Sequence, residues 1–101
     1  MSLELGGKSP FIVFPDADLE VASATSMAAV WGASGQVCTC GTRVLVHESI
    51  HDKFVDKVLD GTRNLRIGPG LDPASEMGPV VSESQLDRIV RYVGIGVDEG
   101  A

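Results

Sequence analysis

Apolar residues along this chain form short continuous runs and helical stripes, separated by stretches rich in glycine and proline. Pro10-Phe11-Ile12-Val13-Phe14 is a run without alternation, set between Gly6-Gly7 and Pro15-Asp16. Such a run suits a strand buried on both faces of a parallel sheet. Asp16 or Asp18 can cap the element that follows, and Glu20 falls in its first turn, where negative charge complements the helix dipole. A helix is therefore expected from about Leu19 to Trp31. Its sequence, LEVASATSMAAVW, is rich in Ala and Ser, so its surface is shallow, neighbours can approach closely and it reads as interior.

Gly32 and Gly35 interrupt that pattern and place Cys38 in or just after a loop, at what reads as a helix start with free backbone N–H groups. Arg43-Val44-Leu45-Val46-His47 reads as a second short strand. Ser49, with Asp52 three residues on, resembles a capping box. Ile50, Phe54, Val55, Val58 and Leu59 then repeat at helical spacing, which predicts an amphipathic helix over about 50–63. From Arg66 to Val81 glycines and prolines predict a loop or extended connection. Ser82 and Gln85 form a second capping box, and Leu86, Ile89, Val90 and Val93 fall at i, i+3, i+4 and i+7, which predicts a third helix. The final GIGVDEGA is expected to add no closing element.

The order strand-helix-strand-helix-helix favours an α/β layer architecture. Two strands leave edges whose backbone groups normally find partners, so residues 1–101 read as a single partial domain belonging to a larger sheet.

Composition narrows the partners. With 101 residues the chain has the length of one domain at most, and its net charge of −6 with Lys and Arg scattered argues against nucleic acid. No apolar run approaches the roughly 20 residues that cross a bilayer, and MSLELGGKSP has no signal-like pattern. No membrane partner and a cytoplasmic location are expected. The two cysteines are too few for a secreted disulfide scaffold and read as reduced thiols.

Cys38 and Cys40 admit three explanations from spacing alone. Packing is the commonest fate of a free cysteine. A zinc or redox site is the second, because His47 and His51 complete the order Cys-x-Cys, His-x-x-x-His, although zinc pairs usually stand further apart. The third is a nucleophile: Cys38 follows Gly-Gln in a glycine-punctuated loop, where free N–H groups would favour the thiolate. Glu4, followed by Gly6-Gly7, reads either as a solvated residue or as a general base at a strand end where the backbone turns sharply. A phosphate loop fails, because the first glycine of its pattern would fall at Ser2. His47 and His51 otherwise read as surface or helix-start residues, Arg43 as structural, and Trp31 as core or an apolar wall near Cys38.

Leu3-Glu4-Leu5-Gly6-Gly7-Lys8-Ser9-Pro10 resembles the glutamate signature of the NAD(P)-dependent aldehyde dehydrogenase superfamily. Gly35-Gln36-Val37-Cys38 with Gly41-Thr42-Arg43 resembles its cysteine signature. The separation of 34 residues from Glu4 to Cys38, the intervening PDADLE and the later GPGLDPASEMGPVVS are also similar to the family's pattern. The resemblance runs from about Leu3 to the last residue.

The resemblance implies that these residues are the start of the aldehyde dehydrogenase catalytic domain, without the cofactor-binding domain. It makes Cys38 the nucleophile, Cys40 a neighbour and Glu4 the general base, and puts Leu5 and Gly6 near the nicotinamide. The parent enzyme would use NAD or NADP on a small-molecule aldehyde and would be a homo-oligomer. The 101 residues alone are expected to bind no cofactor, to be inactive and to self-associate through exposed apolar surface. Trp31 stands where the family more often has phenylalanine or another apolar residue, and Cys40 where alanine is commoner. A truncated interaction module and a small zinc or redox protein using Cys38, Cys40, His47 and His51 remain the alternatives.

Overall fold

A computed structural model describes all residues, 1–101. Its elements are β1 (Pro10–Val13), α1 (Leu19–Trp31), β2 (Arg43–Val46), α2 (His51–Arg63) and α3 (Glu83–Asp98), with short 3-10 turns at Gly32–Gly35 and Glu48–Ile50. The predicted order of an α/β chain is present. β1 and β2 pair in parallel with Pro10 opposite Arg43 and Val13 opposite Val46, and α1 supplies the crossover that parallel strands need. Pro10, which has no N–H to give, stands at the first position of its strand.

Asp18 caps α1: its Oδ1 accepts the N–H groups of Glu20 at 2.9 Å and Val21 at 3.1 Å. α1 is not interior in this chain as its small side chains suggested: Val21 is 62 % exposed because nothing here covers the outer face of the helix, and only Ser23 and Ser26 are buried. Their hydroxyls donate to Glu20 O and Ser23 O one turn earlier, so neither is left without a partner. α2 packs on α1 through Phe54, which is 3 % exposed, and through Gly61, where any Cβ would meet the Met27 sulfur. A Lys57–Glu20 ion pair joins the same two helices at the surface. Between α1, β2 and α2 lies an apolar crevice of about 330 Å³ lined by Met27, Val30, Trp31, Val44 and Val58 among others.

Several expectations need correction. β1 is not buried on both faces: Val13 is buried, but Ile12, which alternation puts on the opposite face, is 57 % exposed because no layer of this chain covers that face. Residues before Pro10 form no strand, so Glu4 lies in an irregular segment and not at a strand end. The Ser49–Asp52 capping box does not form. His47 caps the 3-10 turn instead, its Nδ1 accepting the Ser49 N–H at 3.2 Å, and α2 starts one turn later without a side-chain cap. GIGVDEGA is largely helical, since α3 runs through Gly94 and Gly96 to Asp98. At its other end Ser82 Oγ accepts the Gln85 N–H at 3.3 Å, as the capping pattern predicts.

α3 packs no residue into a core; Leu86, Val90 and Val93 are all about half or more exposed. The whole chain exposes 7665 Å², against about 5,500 Å² for a self-contained fold of this mass. Its Cα radius of gyration is 15.0 Å, against about 13 Å for a compact domain of this length.

Candidate active site

α1 ends at Gly32, and the chain then turns through three consecutive left-handed residues, Ala33 (φ 48°), Ser34 (φ 57°) and Gly35 (φ 72°). Glycine adopts this conformation freely, whereas each of the other two costs about 1–3 kcal/mol that surrounding contacts must offset. The contacts are present. Ser34 Oγ donates to Gly78 O at 2.7 Å and approaches Pro79 O at 3.2 Å, and Gln36 Oε1 accepts the Val81 N–H at 3.0 Å. Gln36 Nε2 also reaches back to Ala33 O at 3.4 Å.

Cys38 follows in a turn closed by the Cys40 N–H on Val37 O at 3.0 Å, after the 3-10 segment and not at a helix start. The turn makes the two cysteines unequal. Cys38 is exposed, while Cys40 is 6 % exposed beside Ala28, Ala29 and Gly32 of the α1 end. The Cys38 N–H donates to no acceptor in the chain.

The segment carrying Glu4 comes against this turn from the other side. A Cβ on Gly7 would stand 1.9 Å from Cys38 O, so the two backbones touch at a spacing only glycine permits. Ser9 Oγ points at the same carbonyl from 3.5 Å, a long contact. Arg43 Nε donates to Lys8 O at 3.0 Å, and the Arg43 N–H to Ser9 O at 3.3 Å. Arg43 therefore has a structural role, but on the segment of Glu4 and not directly on the loop that carries Cys38. Glu4 and Leu5 are exposed, and Gly6 has open space where a side chain would point.

A model of the aldehyde dehydrogenase family matches residues 1–101. The chain belongs to that family. It is 49 % identical over 100 residues to betaine aldehyde dehydrogenase of Mesorhizobium japonicum, covering 99 % of this chain and 20 % of that protein. Betaine aldehyde dehydrogenase of Brucella ovis is 46 % identical, with 100 % of this chain and 21 % of that protein covered. Among solved structures, betaine aldehyde dehydrogenase of Staphylococcus aureus in complex with NAD+ superposes with a TM-score of 0.93 at 41 % identity, covering 96 % of this chain and 19 % of that one. The chain thus spans about one fifth of the length of the relatives it matches.

The same geometry disposes of the zinc arrangement for this aldehyde dehydrogenase segment. No three of its His, Cys, Asp and Glu side chains gather as a metal site. His47 bonds Ser49 Oγ at 2.9 Å beyond the end of β2, and His51 bonds Asp52 at 2.9 Å at the start of α2, whereas both cysteines precede β2. Trp31 lines the crevices that face α2 and not the recess around Cys40. Sequence reasoning missed the side-chain work of Ser34 and Gln36, because their partners lie more than 40 residues away and nothing local marks them. No helix is long and apolar enough to cross a membrane.

Proposed function

We propose that these residues carry the nucleophile and the water-activating base of an NAD(P)-dependent aldehyde dehydrogenase, as the opening part of its catalytic domain. The observation that carries the reading is the contact of Gly7 with Cys38 O, which joins the two signature segments across 30 residues of intervening chain. The exposed Cys38 thiol and its unpaired N–H support it further.

Cys38 Sγ, as the thiolate, bonds to the aldehyde carbon, and the carbonyl electron pair moves to oxygen to give a thiohemiacetal. The Cys38 N–H is free to donate to that oxyanion. Nicotinamide, when bound, supplies the acceptor for the hydride that departs as the adduct becomes a thioester. Glu4 then takes a proton from water, whose oxygen attacks the thioester carbon; the C–S bond breaks, and carboxylic acid and Cys38 thiolate are released. The substrate is a small-molecule aldehyde.

The fit to the cofactor is partial. Open space beside Gly6 and the exposed Leu5 suit the nicotinamide end, while the two-stranded sheet offers no glycine-rich dinucleotide fingerprint. The remainder of NAD or NADP would be held by segments outside these 101 residues, which alone would bind no cofactor and oxidise no aldehyde. The complete enzyme would be a homo-oligomer in the cytoplasm.

The reading is tested by building these residues into the Mesorhizobium japonicum relative in place of its matching segment. The chimera should form NADH from betaine aldehyde. Cys38→Ala should abolish this, whereas Glu4→Gln should keep a single burst of NADH and lose steady turnover by about 10²–10⁴-fold. Unimpaired turnover in either variant would remove that residue from the mechanism.

A further inference from the structure

Resting on Cys38 as the nucleophile, we propose that Ser34 and Gln36 are positioning residues: by latching the left-handed turn before Cys38 to the Gly78–Val81 segment, they aim its thiol. Ala33 and Ser34 hold φ values of 48° and 57°, which L residues adopt only when held there. A chain free to relax at these two positions would swing the residues after Gly35.

Two side chains prevent this, and both reach the same distant segment. Ser34 Oγ donates to Gly78 O at 2.7 Å, and Gln36 Oε1 accepts the Val81 N–H at 3.0 Å. The remaining support of Cys38 lies on the opposite side, where Gly7 and Ser9 meet its carbonyl. The Cys38 turn is thus gripped between two stretches of chain, one before β1 and one before α3. Without the Ser34 and Gln36 grip, the Gly7 contact, the long Ser9 contact and the turn's own bonds are left to define where Sγ points. Gly78-Pro79 supplies a stiff anchor, since Pro79 fixes its own φ and restricts Gly78.

A misaimed nucleophile costs rate more than binding, with losses of about 10²-fold for a displacement of about 1 Å. The chimera described above, carrying Cys40→Ala so that Cys38 is its only thiol in this segment, provides the test. Ser34→Ala and Gln36→Leu should each lower kcat by about tenfold or more and slow iodoacetamide alkylation of Cys38 in parallel, with KM for NAD+ within about twofold. Gln36→Glu, which keeps an oxygen acceptor for the Val81 N–H, should recover most of the loss. Val81→Pro, which removes the donor, should reproduce Gln36→Leu, and the double variant should be no worse than either. If the chimera is active and Cys38→Ala kills it, but Ser34→Ala and Gln36→Leu stay within about twofold in kcat and alkylation, the latch is not a positioning device and the catalytic reading stands. If Cys38→Ala itself leaves turnover intact, the catalytic reading falls and the latch loses its purpose. Should Gln36→Leu fail to fold, Ser34→Ala carries the same comparison alone.

Discussion

Gly7 and Gly6 are adjacent, yet a methyl group would meet opposite fates on them. On Gly7 it would overlap Cys38 O, a backbone atom that cannot step aside, whereas on Gly6 it would meet nothing within 4 Å. Gly7→Ala should therefore destabilise the chimera by about 1–3 kcal/mol and depress its kcat, as thermal melts and turnover would show, whereas within these 101 residues nothing opposes a methyl group on Gly6. The cysteines offer a second comparison. Iodoacetamide on the folded chimera should modify exposed Cys38 before buried Cys40, which should gain comparable reactivity only in denaturant, as peptide mass spectrometry would show. The sequence left packing, metal and nucleophile open for this pair; burial of one thiol and exposure of the other is a property of the turn, which spacing does not reveal.

Among the elements, α1 was legible almost to the residue, because Asp18 and the Gly32 interruption mark its ends in local chemistry. The span of α2 was legible to within a residue, about 50–63 against His51–Arg63, but its cap was not, because His47 and not Ser49 supplies the side-chain acceptor there. α3 has a good cap and no packed face, so Ser82→Ala should cost about 1 kcal/mol of helix stability and should visibly reduce helicity by circular dichroism. The connection before α3 is tethered by charge. The Arg66 N–H bonds Glu76 Oε2 at 3.0 Å, and together with the Arg66 guanidinium it holds the Glu76 carboxyl below its ordinary value of 4.5. A carboxyl with a depressed pKa stabilises the fold above its unfolded pKa and ceases to do so as pH falls through the folded one. Protection of the Arg66 amide from hydrogen exchange should thus be present at neutral pH and fade below about pH 4.5, and Glu76→Gln should remove that pH dependence.

Over the whole molecule the balance of surface and core is the dominant fact. Six of 101 residues are buried, and Ile12, Phe14, Leu45, Val90 and Val93 all stand in the open. The surface in excess of a self-contained fold, about 2,000 Å², is of the size that obligate interfaces cover. The 101-residue chain by itself should sediment as oligomers or aggregates and unfold without a sharp transition. A monomer with steep, reversible melting would contradict the partial-domain reading.

The properties set within a few residues could be read along the chain: the order of elements, a cap for α1 at Asp16 or Asp18 and for α3 at Ser82, the stripe of α2, and two signatures whose residues lie side by side. Relations between residues far apart along the chain came from the packed fold alone. These include the register of β1 on β2, the seat of Gly7 on the Cys38 carbonyl, the hold of Gly78–Val81 on Ser34 and Gln36, and which cysteine faces water. The division has a physical cause. Caps and periodicity act over one or two turns of backbone, whereas close approach and shared hydrogen bonds arise only when separate segments are brought together by packing.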